Sequence, residues 1–477
     1  MADTSYKKYQ KYKNKYFELK NKIGGNDNSQ PLKNYYIVSS HNSYLSGNQI
    51  TGKADMKCIN NFIELYKGGC IELDLFGIKE NDIIVRHMPI VGSQILLSDI
   101  FKNIKNIISN NQMTGPVILY FDNKTIDIKN QQIFWYLLFS ILSDYLYPIT
   151  NTNILDTPLN NVIGKILIMW DEYHNDYDNK SLLIRKLISP NKNDILNLHN
   201  LHNLHNLNNL NNLDKIYINQ ILDKDNIKSF FNNNKWTHFN KSNIKSKSIN
   251  PYFTLYINNN KFFNKIKKNI SYTQNNILRI HHKAHYINSN NFPLIPCLLN
   301  GSQMVALNTQ SLDIQTLLMR KIFNNTSVRL KPVSLLSNRY FDYNNLLNDF
   351  KKITFKIYDI DDMLNNQHNQ TKKILLTCDG ENFAKTKTNI ITIKNVHIDF
   401  LFFYIEIKLI NNKKYIGVFK INKSVDNLII NEDIICILHT YSSKTSDKKL
   451  HCEWPKYLEE NKDNIKIKIK FFIDYMP

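Results

Sequence analysis

The sequence predicts a parallel (β/α)8 barrel of the TIM type followed by an all-β sandwich, and two observations indicate this fold. Apolar segments that read as buried strands end in polar residues within 36–49, 70–74, 83–87 and 116–123. Polar side chains gathered at the carboxyl ends of parallel strands are typical of barrels whose site lies on that face. Short β segments separated by turn residues follow from position 353, which favours a sandwich.

Each strand end supplies side chains that can carry chemistry. The second strand, GCIELD at 69–74, places Glu72 and Asp74 on one face, because side chains alternate along a strand. Two adjacent carboxylates repel each other unless a cation lies between them, which indicates a metal site. The residues that follow or end the other three strands are His41 and Asn42, His87, and Asp122.

At these positions the chain resembles the X region of the eukaryotic phosphoinositide-specific phospholipase C family. The matching motifs are SSHNSYLSGNQ at 39–49, GCIELD at 69–74, IIVRH at 83–87 and PVILYFDN at 116–123. A second block resembles the Y region of the same family. Its matching segments are 277–280, 300–308 and 328–332.

The resemblance implies a barrel that a variable linker divides into X and Y halves, with a C2-type lipid-binding sandwich after it. We therefore expect five segments: a basic N-terminal leader at 1–33, the X half at 34–175, a low-complexity linker at 176–248, the Y half at 249–342 and the C2-like sandwich at 350–477. Only Asp359, Asp361 and Asp362 form an acidic cluster of the kind that C2 calcium loops use. No matching Asp-x-Asp follows downstream, which argues against calcium binding by this domain.

Residues 6–23 predict a short amphipathic helix. Its tyrosine, leucine and isoleucine side chains fall at alternating three- and four-residue steps, lysines fill most of the other face, and Gly24-Gly25 ends it. One interpretation is a helix that binds a membrane surface or pairs with another helix. The other, which we favour, is a helix that docks on the body of the protein or a poorly ordered leader. The segment resembles the leaders rich in tyrosine and lysine on giant-virus proteins.

The linker contains a tripeptide repeat of the LHN and LNN type from Leu198 to Leu213. A period of three suits neither a helix nor a strand. A metal-binding histidine array is one interpretation, and an expanded repeat in a tolerant loop is the interpretation that we favour.

The composition indicates where the protein is located in the cell and which kinds of partner it binds. No run of eighteen apolar residues and no secretory signal is visible, and the six cysteines lack CxxC spacing. We therefore expect reduced, mostly buried thiols in a cytoplasmic protein that associates peripherally with membranes. The formal net charge of +20 suits an anionic membrane, but lysine-rich composition alone does not indicate function, and no motif supports nucleic-acid binding. The oligomeric state is not indicated.

The resemblance implies calcium-dependent chemistry. Its calcium ligands would be Asn42, Glu72, Asp74 and Asp122, an all-oxygen set that suits a hard cation. His41 would hydrogen-bond the phosphoryl oxygen, and His87 would be the general acid that protonates the diacylglycerol oxygen. Glu72 or Asp122 would take the proton of the inositol 2-hydroxyl. Asp122 stands where the family usually has glutamate.

The resemblance is weaker at the positions that bind the head group. Arg279 falls where the family has an arginine that grips an inositol phosphate, and His281 replaces a tyrosine that stacks on the inositol ring. Met169 and Asp171 stand where the family has two phosphate-binding lysines. We therefore expect a weaker preference for the bisphosphorylated lipid than is usual in the family.

The leading hypothesis is a calcium-dependent phosphoinositide phospholipase C that releases diacylglycerol and an inositol phosphate, with a role in lipid signalling. The alternative is a catalytically weak or silent protein that binds phosphoinositides or inositol phosphates. Silent relatives lose a catalytic histidine or a metal ligand, and this chain retains both kinds of residue.

Overall fold

The computed structural model describes residues 28–49, 51–79, 82–87, 93–123, 128–148, 153–171, 244–249, 269–282, 289–336, 350–360, 371–377, 384–386, 390–409, 414–421, 433–441, 453–456 and 465–475. The predicted helix at 6–23 and the tripeptide repeat at 198–213 lie outside these residues.

The N-terminal domain contains twelve described strands and five described α-helices. The strands are β1 (Tyr35–Ser40), β2 (Leu45–Ser46), β3 (Lys53–Ala54), β4 (Gly69–Lys79), β5 (Asp82–Val85), β6 (Ile95–Leu96), β7 (Val117–Asn123), β8 (Ile166–Asp171), β9 (Ile244–Ile249), β10 (Ile277–His282), β11 (Met304–Leu307) and β12 (Val328–Leu330). The helices are α1 (Met56–Tyr66), α2 (Leu97–Asn110), α3 (Ile128–Leu142), α4 (Leu294–Leu299) and α5 (Ile314–Phe323). Short 3-10 helices span Leu32–Asn34, Ser143–Tyr145, Ile154–Asp156, Leu159–Asn161 and Val333–Leu335.

Seven of these strands run parallel in the order β9-β10-β11-β1-β4-β7-β8. The first strand, β1, joins the two halves of the barrel, because it pairs with β4 on one side and with β11 on the other. Ser39 lies beside Cys70 of β4 and beside Ala306 of β11. The residues that follow β1 therefore lie at the seam between the halves.

Alternate residues along the strands pack into two cores, as the period of a strand requires. The inner core, inside the ring of strands, contains Ile37, Cys70, Ile118, Leu167 and Met169 among others. The outer core, between strands and helices, contains Val38, Ile71, Leu119 and Ile168 among others. All six residues of β1 are buried, because both of its faces are covered.

The C-terminal domain is an antiparallel assembly of eight described strands. They are β13 (Phe350–Ile360), β14 (Thr371–Thr377), β15 (Ala384–Thr386), β16 (Ile390–His397), β17 (Phe402–Leu409), β18 (Lys414–Lys420), β19 (Asp433–Tyr441) and β20 (Ile465–Tyr475), with a 3-10 helix at Ile398–Phe400. Their order is β15-β14-β17-β18-β19-β20-β13-β16.

The two domains share a packed interface. Leu317 of α5 packs with Tyr404, Ile416 and Trp454 in one buried cluster. The indole Nε1 of Trp454 donates a hydrogen bond to the backbone oxygen of Thr309, 2.8 Å away, in the loop between β11 and α5. The C-terminal domain thus contacts a loop at the carboxyl end of a barrel strand.

Strand β9 lies at the end of the segment that the sequence assigns to the linker. Its sequence, IKSKSI, has apolar residues only at its two ends, so it lacks the alternation that marks a half-buried strand. Its pairing with β10, from Ile244 beside Ile277 to Ile249 beside His282, defines it as part of the sheet.

The prediction of six reduced cysteines is wrong for Cys58, which is disulfide-bonded. Its partner is not among the residues whose side chains the structure describes. Cys70 and Cys297 are free and buried, as expected. A disulfide depends on two chain-distant side chains meeting, which the spacing of cysteines in the sequence does not reveal. Among the described residues, no helix combines the length and apolar character needed to cross a membrane.

Candidate active site

Three carboxylates converge where β4 pairs with β7, near the carboxyl end of β7. Ligand oxygens of Glu72, Asp74 and Asp122 lie within 4.8 Å of one another, and all three residues are buried. Asp74 and Asp122 are direct neighbours in the parallel register of the two strands. Buried carboxylates at this separation repel strongly, so the group favours a bound cation. Its all-oxygen character fits calcium or magnesium better than a soft metal.

Asn42 reaches this group from the loop after β1. Its backbone is left-handed, with φ 46°, a conformation that asparagine adopts more readily than most residues. Its backbone N–H donates to Glu72 Oε2 at 3.1 Å, and its side-chain Nδ2 donates to Gln49 Oε1 at 2.8 Å. Because Nδ2 is engaged by Gln49, the amide oxygen of Asn42 remains to act as a metal ligand.

Arg279 forms a buried ion pair with Glu72. Its Nη2 lies 2.8 Å from Glu72 Oε2, and the guanidinium carbon lies 4.0 Å from the centre of the Tyr120 ring. Burial would raise the pKa of Glu72, but Arg279, assisted by His41 and His281, outweighs burial and lowers that pKa to about 2. The side chain of Arg279 is only 1% exposed, so its charge lies inside the barrel, beside Glu72.

His41 lies on the Glu72 side of the carboxylates. Its Nε2 is 4.0 Å from Glu72 Oε2, and its Nδ1 is 3.0 Å from Asn308 Oδ1. Burial lowers the pKa of His41, although the Glu72 carboxylate opposes this effect. The ring is nearly parallel to that of His281, with centroids 6.3 Å apart, and lies 5.3 Å from the ring of His282.

His87 lies on the Asp74 side of the carboxylates. Its Nδ1 is 3.4 Å from Asp74 Oδ2, and its side chain is 24% exposed, more than any of the carboxylates. The two imidazoles thus lie beside different carboxylates of one buried group. A phosphodiester that entered between them would meet a histidine on each side.

Three residues stand at the positions where the family binds the inositol head group: His281, Met169 and Asp171. His281 is partly buried, its Nδ1 lies 2.9 Å from the backbone oxygen of His282, and burial lowers its pKa to about 3. Met169 is fully buried in the inner core. Asp171 lies beside the candidate metal ligand Asp122 in the register of β7 and β8. The side chain of Asp171 is not among those that the structure describes.

Two polar residues that the sequence did not single out complete the site. Gln49 and Asn308 are buried and bond to Asn42 and His41, respectively. Both lie inside the matched motifs, at 39–49 and 300–308, but their motif positions alone do not reveal which side chains they contact.

Two family models match the chain. The model of the phosphatidylinositol-specific phospholipase C X domain matches residues 28–171, and that of the Y domain matches residues 225–332. Together they cover a little over half of the chain. The chain belongs to the phosphatidylinositol-specific phospholipase C family. The predicted family resemblance is thereby confirmed.

Curated relatives of this phospholipase C family member match part of its length. The chain is 32% identical over 160 residues to human "Inactive phospholipase C-like protein 2", covering 32% of this chain and 13% of that protein. It is 33% identical over 123 residues to mouse "1-phosphatidylinositol 4,5-bisphosphate phosphodiesterase eta-1", covering 25% of this chain and 7% of that protein. The chain thus spans a small fraction of the length of these relatives.

Solved structures of the family show the same fold. The crystal structure of S. officinalis PLC21 superposes with a TM-score of 0.58 at 19% identity, over 95% of this chain and 57% of that chain. L. pealei PLC21 gives a TM-score of 0.59 at 18% identity, with the same coverage. This likeness confirms the predicted fold class for the phospholipase C family member, a TIM-type barrel in X and Y halves followed by a C2-type sandwich.

Proposed function

We propose that this chain is a calcium-dependent phosphoinositide phospholipase C, which cleaves a phosphoinositide lipid into diacylglycerol and an inositol phosphate. One observation carries the proposal. His41 and His87 lie against different members of the buried group formed by Glu72, Asp74 and Asp122. A phosphodiesterase needs this combination of proton-transferring groups and a site for positive charge.

The calcium ion would be held by Asn42, Glu72, Asp74 and Asp122. Three carboxylate ligands and one amide oxygen match the oxygen preference of calcium. When bound, calcium supplies positive charge beside the phosphoryl group and lowers the pKa of the inositol 2-hydroxyl. The Arg279 guanidinium neutralises part of the negative charge of this set by pairing with Glu72.

The two histidines would have separate roles. Asp74 orients the ring of His87 through Nδ1, so that Nε2 is the nitrogen that delivers a proton to the departing diacylglycerol oxygen. His41, fixed through Nδ1 by Asn308, presents Nε2 towards the reacting phosphoryl group. Glu72 is a weak base in this arrangement, because its pKa is held near 2 by Arg279 against the effect of burial. We therefore favour the role of metal ligand for Glu72.

The substrate would be presented at an anionic membrane surface. The net charge of +20 supports peripheral association with acidic lipids, and the C2-type sandwich provides a second surface for it. Such a protein would act in the cytoplasm at the membrane and would contribute to lipid signalling. Arg279 and His281 would line the inositol pocket, but the ion pair of Arg279 with Glu72 leaves little of its charge for a ring phosphate.

The experiment that tests the proposal is an assay of the purified full chain on mixed micelles of each phosphoinositide, with calcium or with excess chelator. We expect release of diacylglycerol with calcium only. Undiminished turnover in chelator contradicts calcium dependence, and absence of turnover with every lipid contradicts the enzyme assignment. Binding without turnover would instead support the alternative, a catalytically silent protein that binds phosphoinositides or inositol phosphates.

A further inference from the structure

A chain of buried amides connects His41 with Asn42 through two other side chains. Asn42 Nδ2 donates to Gln49 Oε1 at 2.8 Å, and Gln49 Nε2 donates to Asn308 Oδ1 at 3.1 Å. The same oxygen of Asn308 lies 3.0 Å from His41 Nδ1. Gln49 and Asn308 are 7% and 0% exposed, so water does not compete freely for these bonds.

One backbone carbonyl determines which side chains donate and which accept along this series of hydrogen bonds. Ser289 Oγ lies 3.2 Å from the carbonyl oxygen of Gly47, which can only accept a hydrogen bond. The single hydroxyl proton of Ser289 is therefore used there. Gln49 lies 3.0 Å from the same Oγ and must donate to it, so the end of Gln49 that faces Ser289 is its NH2 group.

This orientation of Gln49 fixes both of its neighbours. Its Oε1 faces Asn42, so Asn42 offers Nδ2 to Gln49 and keeps its own oxygen for the metal site. Its Nε2 faces Asn308, so Asn308 offers an oxygen. That oxygen is the one beside His41, so Nδ1 of His41 must carry a hydrogen and donate.

The reversed orientation of Asn308 is disfavoured by its surroundings. Asn308 Nδ2 has no hydrogen-bond partner in the described part of the chain. Turning the Asn308 amide over would place its NH2 group against the NH2 group of Gln49, at the position where Gln49 Nε2 now donates to Asn308 Oδ1 at 3.1 Å. The backbone of Asn308 is held as well, because its N–H donates to Asn291 Oδ1 at 2.7 Å and Asn291 donates to Asp313 at 2.9 Å.

We propose that Gln49 and Asn308 are positioning residues that set the tautomer of His41 and the amide orientation of Asn42 together. The neutral ring of His41 then holds its hydrogen on Nδ1 and presents an unprotonated Nε2 to the site. It donates from Nε2 to a phosphoryl oxygen only after gaining a second proton. The significance of this for turnover rests on the proposed function, whereas the tautomer itself does not.

The test is a long-range proton–nitrogen correlation spectrum of the full chain, labelled with 15N-histidine and free of metal. The His41 signals are assigned by their loss in His41→Gln. We expect the Nδ1–H tautomer for the wild type. A wild-type ring protonated on Nε2 overturns the proposal, whether or not any further variant folds.

Variants then test the two positioning residues. In Gln49→Glu, a carboxylate cannot donate to Asn308, so Asn308 is free to turn over and we expect the tautomer of His41 to shift towards Nε2–H. Asn308→Asp keeps an acceptor and should retain Nδ1–H, whereas Asn308→Leu should lose the preference. Gln310→Glu is the matched control, because Gln310 is also buried and bonds Ser289 at 3.4 Å, but it lies outside the chain of amides that reaches His41.

Kinetics distinguish this proposal from the proposed function. If the chain is the proposed phospholipase, Gln49→Glu should lower kcat by about 10²-fold with a smaller effect on KM, because the hydrogen bond from His41 to the phosphoryl group is disturbed and not lipid binding. An inactive wild type with the expected tautomer contradicts only the proposed function. A Gln49→Glu variant with an unchanged tautomer contradicts the positioning roles, even if the wild type is active.

Discussion

Arg279 and Glu72 form an ion pair in the interior of the barrel, 2.8 Å between Nη2 and Oε2, at the place where the site would hold its cation. The pair joins strand β10 of the Y half to strand β4 of the X half. The guanidinium therefore acts as an internal counter-charge for the carboxylate of Glu72.

Replacing Arg279 by methionine should destabilise the metal-free protein by about 3–5 kcal/mol, because it leaves the buried carboxylate of Glu72 without its partner. Added calcium should recover part of this loss, so calcium should raise the melting temperature more in Arg279→Met than in the wild type. Thermal unfolding in chelator and in calcium measures both effects. Arg279→Lys, which keeps the charge, is the control, and equal stability of Arg279→Met and wild type in chelator would refute the prediction.

The same ion pair predicts acid sensitivity. The pKa of Glu72 is about 2 in the folded protein, compared with 4.5 for a glutamate in the unfolded chain. Folding therefore stabilises its ionised form. This stabilisation is fully present above pH 4.5 and is lost as the pH falls from 4.5 towards 2. Chemical unfolding of the metal-free protein across that range should show a steeper loss in the wild type than in Glu72→Gln. Parallel curves for the two proteins would contradict the assignment.

His41→Ala and His87→Ala should each lower turnover by roughly 10²–10⁴-fold while the protein remains folded, since each removes a group that exchanges a hydrogen bond or proton with substrate. Turnover on phosphoinositide micelles, with the melting temperature as a check on folding, makes the measurement. His439→Ala, in strand β19 of the other domain, controls for loss of an imidazole away from the site. A folded His41 or His87 variant with a near-normal rate would remove that residue from the mechanism.

Phosphatidylinositol and its bisphosphate should be hydrolysed at rates within about tenfold of each other, a difference of about 1.4 kcal/mol. Met169 is fully buried and lacks a donor, and the charge of Arg279 is engaged by Glu72. Side-by-side turnover at equal surface concentration tests this ratio. A strong preference for the bisphosphate would show that basic residues other than these grip the ring phosphates.

Deleting residues 190–215 should leave the melting temperature within a few degrees of the wild type, because changing the length of a loop alters its closure entropy only slowly. The repeat with a period of three cannot supply the apolar face of a helix or a strand. Thermal unfolding and soluble yield of the deletion variant give the result. A collapse of soluble expression would show that the segment is structural.

The strand predicted to end at Asp74 continues to Lys79, and the segment at 83–85, predicted as a parallel barrel strand, belongs to β5, which pairs antiparallel with β4. The sequence located the ends of β1 and β7 well, because each lies where an apolar run meets a polar motif. His41 and Asp122 are examples, each at the end of a buried strand whose pattern is visible locally. The pairing of Arg279 with Glu72 was not predicted, because the two residues are 207 positions apart and no local pattern connects them. Motif matching placed Arg279 in the pocket but did not indicate what it contacts there.

Two other features escaped prediction for different physical reasons. Strand β9 is stabilised by its neighbour in the sheet rather than by an apolar face of its own. Strand β15 has only three residues, Ala384–Thr386, and reads as a turn between longer segments. Both depend on hydrogen-bond partners supplied by distant parts of the chain, which periodicity does not report.

The contact of Trp454 with Thr309 bears on how the activity of a truncated form of this protein should be interpreted. Thr309 directly follows Asn308, and its Oγ1 is 2.8 Å from the hydroxyl of Ser40, the residue before His41. Removing the C-terminal domain would therefore withdraw a support from the loop that holds the imidazole of His41, a proposed catalytic group. An isolated barrel that fails to turn over lipid would not demonstrate a targeting role for the sandwich, whereas the single change Trp454→Phe separates mechanical support from membrane recruitment.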